Sequence, residues 1–204
     1  MIGRKKRSIP DEDAELVTSC RAGNLAAFET LVMKYQARIF TLAFRILGNY
    51  EDAGEVAQDA FIAAYRGLAK FRGDSAFTTW LTTITVNLAR NRLRQTRTRK
   101  SRESCSLDDP VPRCDGCAMT HDFPSANPSA HELLEREEMR RRVQVCINGL
   151  ELPFREVLVL RDVEEYTYQE IGTMLNLAEG TVKSRIARAR DAVRECLKRV
   201  LGDF

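Results

Sequence analysis

The stretch Tyr166-Thr-Tyr-Gln-Glu-Ile-Gly-Thr-Met-Leu-Asn-Leu-Ala-Glu-Gly-Thr-Val-Lys-Ser-Arg-Ile-Ala-Arg-Ala-Arg190 has the form of two short helices about a tight turn. Thr167 and Glu170 stand at the spacing of a capping box, in which hydroxyl and carboxylate satisfy amide groups that the first helical turn leaves orphaned. Ile171, Met174 and Leu175 then face inward, and Gly172 permits close approach of the next helix. In the second helix Val182, Ile186, Ala189 and Val193 recur at spacings of four and three, which sets the buried stripe. Lys183, Ser184, Ala187 and Arg188 fall on the opposite side. A helix presenting that face fits the major groove of duplex DNA, where Lys and Arg donate to guanine and Ser reaches several base edges. Arg185 and Arg190 flank the face and suit phosphates, and Thr181 near the helix start adds a contact to the backbone of the duplex. A basic amphipathic helix is often only a solvated one. Here cap, glycine, turn and outward charge agree on one docking geometry.

Outward from this stretch, the remainder of the chain reads as helical on both sides of a compositional break. The 204 residues are 44% hydrophobic and 30% charged, which places them among globular chains of one ordinary domain or two small ones. No proline lies between Pro10 and Pro110, and apolar residues recur at helical spacing from about Asp11 to Thr96. Phe28, Leu31, Val32, Tyr35, Ile39, Leu42, Phe44 and Ile46 form one such stripe, stopped at Gly48-Asn49. A second helix follows from about Glu51 to Phe71. From Thr98 to Ser129 the periodicity is lost, and Pro110, Pro112, Pro124 and Pro128 appear among Ser, Asp, Gly and Cys. A structureless segment of that length argues for two separate domains with a flexible connection. The expected fold is all-α: a helical domain over residues 11–97, a linker over 98–129, and a helix-turn-helix domain over 130–204.

The net charge of +3 is only mildly basic, but its arrangement is informative. Arginines crowd at residues 90–102 and 183–199, whereas acids gather at 51–59 and 132–138, which suits more than one kind of partner. On the helix beginning near Glu51, Asp52, Glu55 and Asp59 share a face bordered by Gln58 and Ile62. An acidic stripe with an exposed apolar side chain beside it matches a protein partner bearing Arg or Lys. The loop Phe71-Arg-Gly-Asp-Ser-Ala-Phe-Thr-Thr-Trp80 follows, with aromatics at both ends. Such rings beside cations can stack unpaired bases; a Phe and Trp at helical spacing serve equally well as core, and both readings stay open. The next helix carries Asn87, Arg90, Asn91, Arg92 and Arg94, all suited to phosphates or base edges.

No apolar run is long enough to span a bilayer, and the basic start Met1-Ile-Gly-Arg-Lys-Lys-Arg7 lacks the apolar core of a secretory signal, so a cytoplasmic chain without membrane insertion is expected. In that compartment the six cysteines should be reduced. Cys20, Cys146 and Cys196 fall in helical patterns and read as small core residues. Cys114 and Cys117, with His121 and Cys105, form a candidate zinc or redox site in the linker, set against a linker of unliganded thiols. No cofactor is otherwise expected. His121 and His131 are the only histidines, and no nucleophile and base pair or phosphate loop appears, which argues against an enzyme.

The sequence resembles the extracytoplasmic-function (ECF) sigma factors of bacterial RNA polymerase, in particular the sigma-E-like branch. The resemblance spans roughly residues 13–97 and 128–201 and is carried by Glu51-Asp-Ala-Gly-Glu-Val-Ala-Gln-Asp-Ala-Phe61, Phe71-Arg-Gly-Asp-Ser-Ala-Phe77, Thr79-Trp-Leu81, Asn127-Pro128, and Leu152-Pro153 leading to Glu179-Gly-Thr-Val-Lys-Ser-Arg185. It implies an initiation factor that binds core RNA polymerase and promoter DNA. Asp52, Glu55, Gln58, Asp59 and Ile62 would dock on the coiled coil of the largest core subunit. Gly67, Phe71, Ser75, Phe77, Trp80 and Asn87, with Arg90 and Asn91 beyond them, would capture the melted minus-ten element. Lys183, Ser184 and Arg188 would read the minus-thirty-five duplex, with Arg161, Tyr168, Thr181, Arg185 and Arg190 on its phosphates. An anti-sigma factor is the family's usual further partner. Gly54, Ala63 and Ala187 depart from the family's pattern of an acid, a basic residue and an aromatic. A stand-alone transcription regulator is the competing reading of the helix-turn-helix, but such a protein needs neither the acidic stripe nor the aromatic loop.

Overall fold

The computed structural model describes residues 13–103 and 130–201. Four helices make up the first part: α1 (Ala14–Arg21), α2 (Leu25–Leu47), α3 (Tyr50–Gly67), which tightens into a 3-10 turn at Leu68–Lys70, and α4 (Phe77–Glu103). The second part contains α5 (Ala130–Asn148), α6 (Leu152–Leu158) continuing through a wide π-helical turn at Val159–Val163, α7 (Tyr168–Leu175) and α8 (Glu179–Leu201). The described residues are all-α, as expected. Helix α4 runs on to Glu103, past the expected boundary at residue 97, because no helix breaker interrupts its polar end.

Local chemistry sets the helix ends. The Asn24 side chain caps α2, accepting from the amides of Ala26 and Ala27 at 3.1 and 3.4 Å. Gly48 closes it in the left-handed region at φ 73°, with its amide donating to the Phe44 carbonyl, and the Asn49 side chain then caps α3. Gly48 is required twice over: a Cβ there would also lie 2.5 Å from the Asn148 side chain on α5.

The α2 stripe is buried at Leu31, Tyr35, Ile39, Leu42 and Ile46. One end of α2 packs with Val17, Phe61, Phe77 and Leu81 into a core of the first domain. At the start of this domain the buried Asp13 accepts from the Tyr35 hydroxyl and, at 2.7 Å, from Lys34 Nζ. Burial first, and then the Asp13 hydrogen bond, push the Tyr35 phenol up to about 12.

The other end of α2 belongs to a second core that crosses between the domains. Leu42, Ile46, Val56, Val86 and Ala89 join Ile147, Val157, Leu160, Ile171, Val182 and Ile186 in one cluster. Polar contacts rim it. Arg90 forks onto Glu156 with an Nη2 to Oε2 distance of 2.6 Å, Arg38 meets Glu164 at 2.6 Å, Arg155 donates to the Ile46 carbonyl at 2.6 Å, and the hydroxyls of Thr82 and Tyr166 lie 2.9 Å apart. The two helical domains are both present, and in this arrangement they share a core.

The expectation of reduced cysteines needs correction. Cys20 is buried and free, but Cys146 on α5 and Cys196 on α8 are joined as a disulfide. Helical periodicity identifies a buried face without identifying the residue it meets. Cys105, Cys114, Cys117 and His121 lie outside the described residues.

Candidate nucleic-acid interface

Helices α7 and α8 form the expected unit. The Thr167 amide donates to the Glu170 carboxylate at 2.8 Å and the Glu170 amide to the Thr167 hydroxyl at 3.3 Å, completing the capping box. Asn176 closes α7 at φ 55°, and the Leu177 amide donates to the Gly172 carbonyl at 2.8 Å. A Cβ on Gly172 would sit 2.7 Å from the Leu177 carbonyl oxygen, so only glycine allows a turn this tight. That turn presses Val182, Ile186 and Ala189 inward and leaves Lys183, Ser184, Ala187 and Arg188 exposed together.

Neighbouring groups position this face. The Tyr168 ring is approached by two cations, 5.0 Å from the Arg161 guanidinium and 5.6 Å from Lys183 Nζ. Lys183 also pairs with Glu179 at 2.8 Å, one helical turn back, and the hydrogen bond to that carboxylate raises the ammonium above its ordinary pKa. Ser184 donates to the Thr181 carbonyl, and half-buried Thr181 sits at the helix entrance. Arg190 is held by Asp162, with Nε to Oδ2 at 3.0 Å. Arg185 and Arg188 make no ion pair among the described residues.

In the first domain the aromatic residues separate by depth. Phe71 and Phe77 are buried, the latter completely, and Trp80 is half-buried. The Phe71 and Trp80 rings lie 4.8 Å apart, and Phe77 is 6.0 Å from Trp80. A Cβ on Gly67 would approach the Trp80 ring to 3.1 Å, so this glycine makes room for the indole. The two phenylalanines thus belong to the core beneath the loop, while Ser75 stands exposed on it. Farther along α4, Asn87 and Asn91 are exposed at a spacing of four, and Trp80 precedes Asn87 by seven, on the same side of the helix.

Arg90 and Arg92 are differently placed. Arg90 turns to Glu156, whose hydrogen bonds raise the guanidinium pKa further. Arg92 reaches back to α3, meeting Asp52 at 2.6 Å and Glu55 at 2.7 Å. Part of the acidic stripe is thereby neutralised within the chain, and Gln58, Asp59 and Ile62 form its exposed remainder. Sequence reasoning missed this network, although Arg155-Glu156 inside the apolar run from Leu152 to Val163 was a signal: charges there must find buried partners.

Comparison with known proteins decides what these surfaces belong to. Residues 31–99 match the family described as Sigma-70 region 2, and residues 140–193 match Sigma-70, region 4. The RNA polymerase sigma-H factor of Pseudomonas aeruginosa is 37% identical over 95% of this chain and 97% of its own length. The ECF RNA polymerase sigma-E factor of Escherichia coli K12 is 36% identical over 89% of this chain and 92% of its own. The chain is an ECF-type RNA polymerase sigma factor. It serves transcription initiation as a DNA-binding subunit of RNA polymerase and is not itself an enzyme. The fold agrees with the solved structure of CnrH in complex with the cytosolic domain of CnrY (24% identity, TM-score 0.65, covering 92% of this chain and 97% of that one). It agrees also with sigma factor RpoE in complex with the anti-sigma factor NepR from Bartonella quintana (22% identity, TM-score 0.63, covering 84% and 96%). Among the described residues of the sigma factor, no helix is long and apolar enough to cross a membrane, and no three His, Cys, Asp or Glu side chains gather as a metal site.

Proposed function

We propose that α8 reads the minus-thirty-five duplex through Lys183, Ser184 and Arg188, while the α4 face bearing Trp80, Asn87 and Asn91, with Ser75 above it, receives the melted minus-ten strand. The observation that carries this reading is the division of α8: Val182, Ile186 and Ala189 are buried while the basic face opposite is exposed as one surface. Thr181, Arg185 and Arg190, with Arg161 and Tyr168 behind them, hold the phosphates. Gly67, Phe71 and Phe77 act through Trp80 by fixing the depth and tilt of its ring. Asp52, Glu55, Gln58, Asp59 and Ile62 make the polymerase-binding surface, with Ile62 as its apolar anchor at 40% exposure.

Arg90 joins the nucleic-acid surface only when its salt bridge to Glu156 is exchanged for a phosphate, so full promoter engagement requires the two domains to part. The chain works in the cytoplasm, where polymerase and promoter are, and an anti-sigma protein is its third partner. Permanganate mapping of unpaired thymines tests the assignment. Holoenzyme containing this chain should open a promoter around minus ten, Trp80→Ala should reduce the opening, and Lys183→Ala should weaken recruitment through the upstream element. Equal opening by all three forms would refute the division of labour.

A further inference from the structure

Helix α8 holds its buried side chains in its first half. Beyond Ala189 none of the residues described for burial is fully buried; Val193, Cys196 and Leu197 are half-buried, and their neighbours through Val200 are exposed. So few apolar anchors leave the second half weakly held by packing alone. The bond from Cys196 to Cys146 ties it to α5, across Cα atoms 5.7 Å apart, within the range a disulfide spans without backbone movement. It closes a sequence separation of 50 residues that includes all of α6 and α7.

We propose that Cys146 and Cys196 form a redox modification site, oxidised by peroxides and reduced by dithiols, that sets the stability of the promoter-reading domain. Cys146 is 1% exposed and Cys196 half-buried, so an oxidant meets Cys196 first. The Cys196 thiolate attacks a peroxide oxygen; the O–O bond breaks, giving a sulfenic acid and, after protonation, water or an alcohol. Cys146 sulfur then attacks the sulfenic sulfur. The S–O bond breaks, the S–S bond forms, and the departing hydroxide leaves as water with the Cys146 proton. The two electrons lost by the thiols reduce the peroxide. In the reverse direction a dithiol attacks the more accessible Cys196 sulfur, passes through a mixed disulfide, and leaves as its own disulfide with both protein thiols restored.

Oxidation constrains the unfolded chain and fastens the far half of α8, so the cross-linked form should melt on the order of 10 °C higher than the reduced one. A benefit to duplex reading rests on the assignment of α8 above; the redox site itself does not. The test uses the full chain treated with hydrogen peroxide or dithiothreitol, followed by thermal melting and mass spectrometric mapping of peptides under non-reducing conditions. A Cys146–Cys196 peptide and the higher melting temperature are expected after oxidation. Cys146→Ser and Cys196→Ser should each abolish the difference, whereas replacing Cys20, Cys105, Cys114 and Cys117 together by Ser should preserve it. If Cys146→Ser fails to fold, the wild-type comparison and Cys196→Ser still decide. Equal melting in both states, a shift that survives Cys196→Ser, or cross-links confined to other cysteines would overturn the proposal. A redox shift found together with unaltered duplex binding in Lys183→Ala would instead count against the α8 assignment and leave the redox site standing.

Discussion

On α8, Arg185 and Arg188 meet no carboxylate among the described residues, whereas on α4 Arg90 and Arg92 are both taken up, by Glu156 across the domain boundary and by Asp52 and Glu55 on the neighbouring helix. Both helices are basic in sequence, and since Lys183 and Arg190 on α8 pair with Glu179 and Asp162, the contrast lies between Arg185 and Arg188 on one helix and Arg90 and Arg92 on the other. A duplex offers regular phosphates and base edges that a preformed helix can meet directly. A melted strand does not exist until polymerase has bound, and a basic surface left open for it would attract DNA indiscriminately. In this arrangement Arg90 and Arg92 are neutralised by carboxylates of the same chain, and any anion approaching Arg90 must compete with Glu156.

The strongest way to break this contrast is to remove the carboxylate. Glu156→Ala leaves Arg90 without its buried partner at the domain boundary and should cost about 3 kcal/mol of stability in urea unfolding. It should also increase nonspecific single-strand binding by the isolated factor. A change below about 1 kcal/mol would mean that the ion pair does not hold the domains together. Next in size, Lys183→Ala and Arg188→Ala should each cost about 1–3 kcal/mol of duplex recognition and relax sequence preference, measured as holoenzyme affinity for promoters with and without the upstream element. Arg190→Ala should act differently, weakening all sequences alike and lowering the salt slope by about 1.

The local geometry of the reading unit can be tested separately. Thr167→Ala removes the cap of α7 and should cost about 1 kcal/mol of stability, with no effect on the minus-ten strand. A separate effect concerns pH, appears only in alkaline solution and lies in the first domain. The folded Tyr35 phenol, pushed up to about 12, keeps its proton to a higher pH than the unfolded one near 10. Its contribution is therefore complete below about pH 10 and is lost as pH rises toward 12. Tyr35→Phe should flatten that part of the thermal stability profile.

What was legible in the sequence follows from how local each feature is. Thr167, Glu170, Gly172 and the Val182, Ile186, Ala189 stripe act within a few residues of one another, so their spacing alone defined the helix-turn-helix and its outward face. The aromatic loop was half legible. Composition placed rings beside a basic helix, but whether Phe71 and Phe77 are surface or core depends on α2 and α3, which periodicity cannot position. Least legible was the contact between domains. Arg38 and Glu164 are 126 residues apart, and Arg90 and Glu156 are 66 apart; pairs so distant are matched only by the completed fold. The same holds for Cys146 and Cys196, whose place on helices was readable and whose bond was not.

Promoter recognition conferred on polymerase through two surfaces on different domains has one decisive assay. That assay is run-off transcription with purified core polymerase. With the chain present, transcripts should start at a promoter that core alone ignores, and both Trp80→Ala and the pair Lys183→Ala with Arg188→Ala should reduce them. Run-off synthesis at the same level without the chain would mean that it does not direct polymerase to promoters.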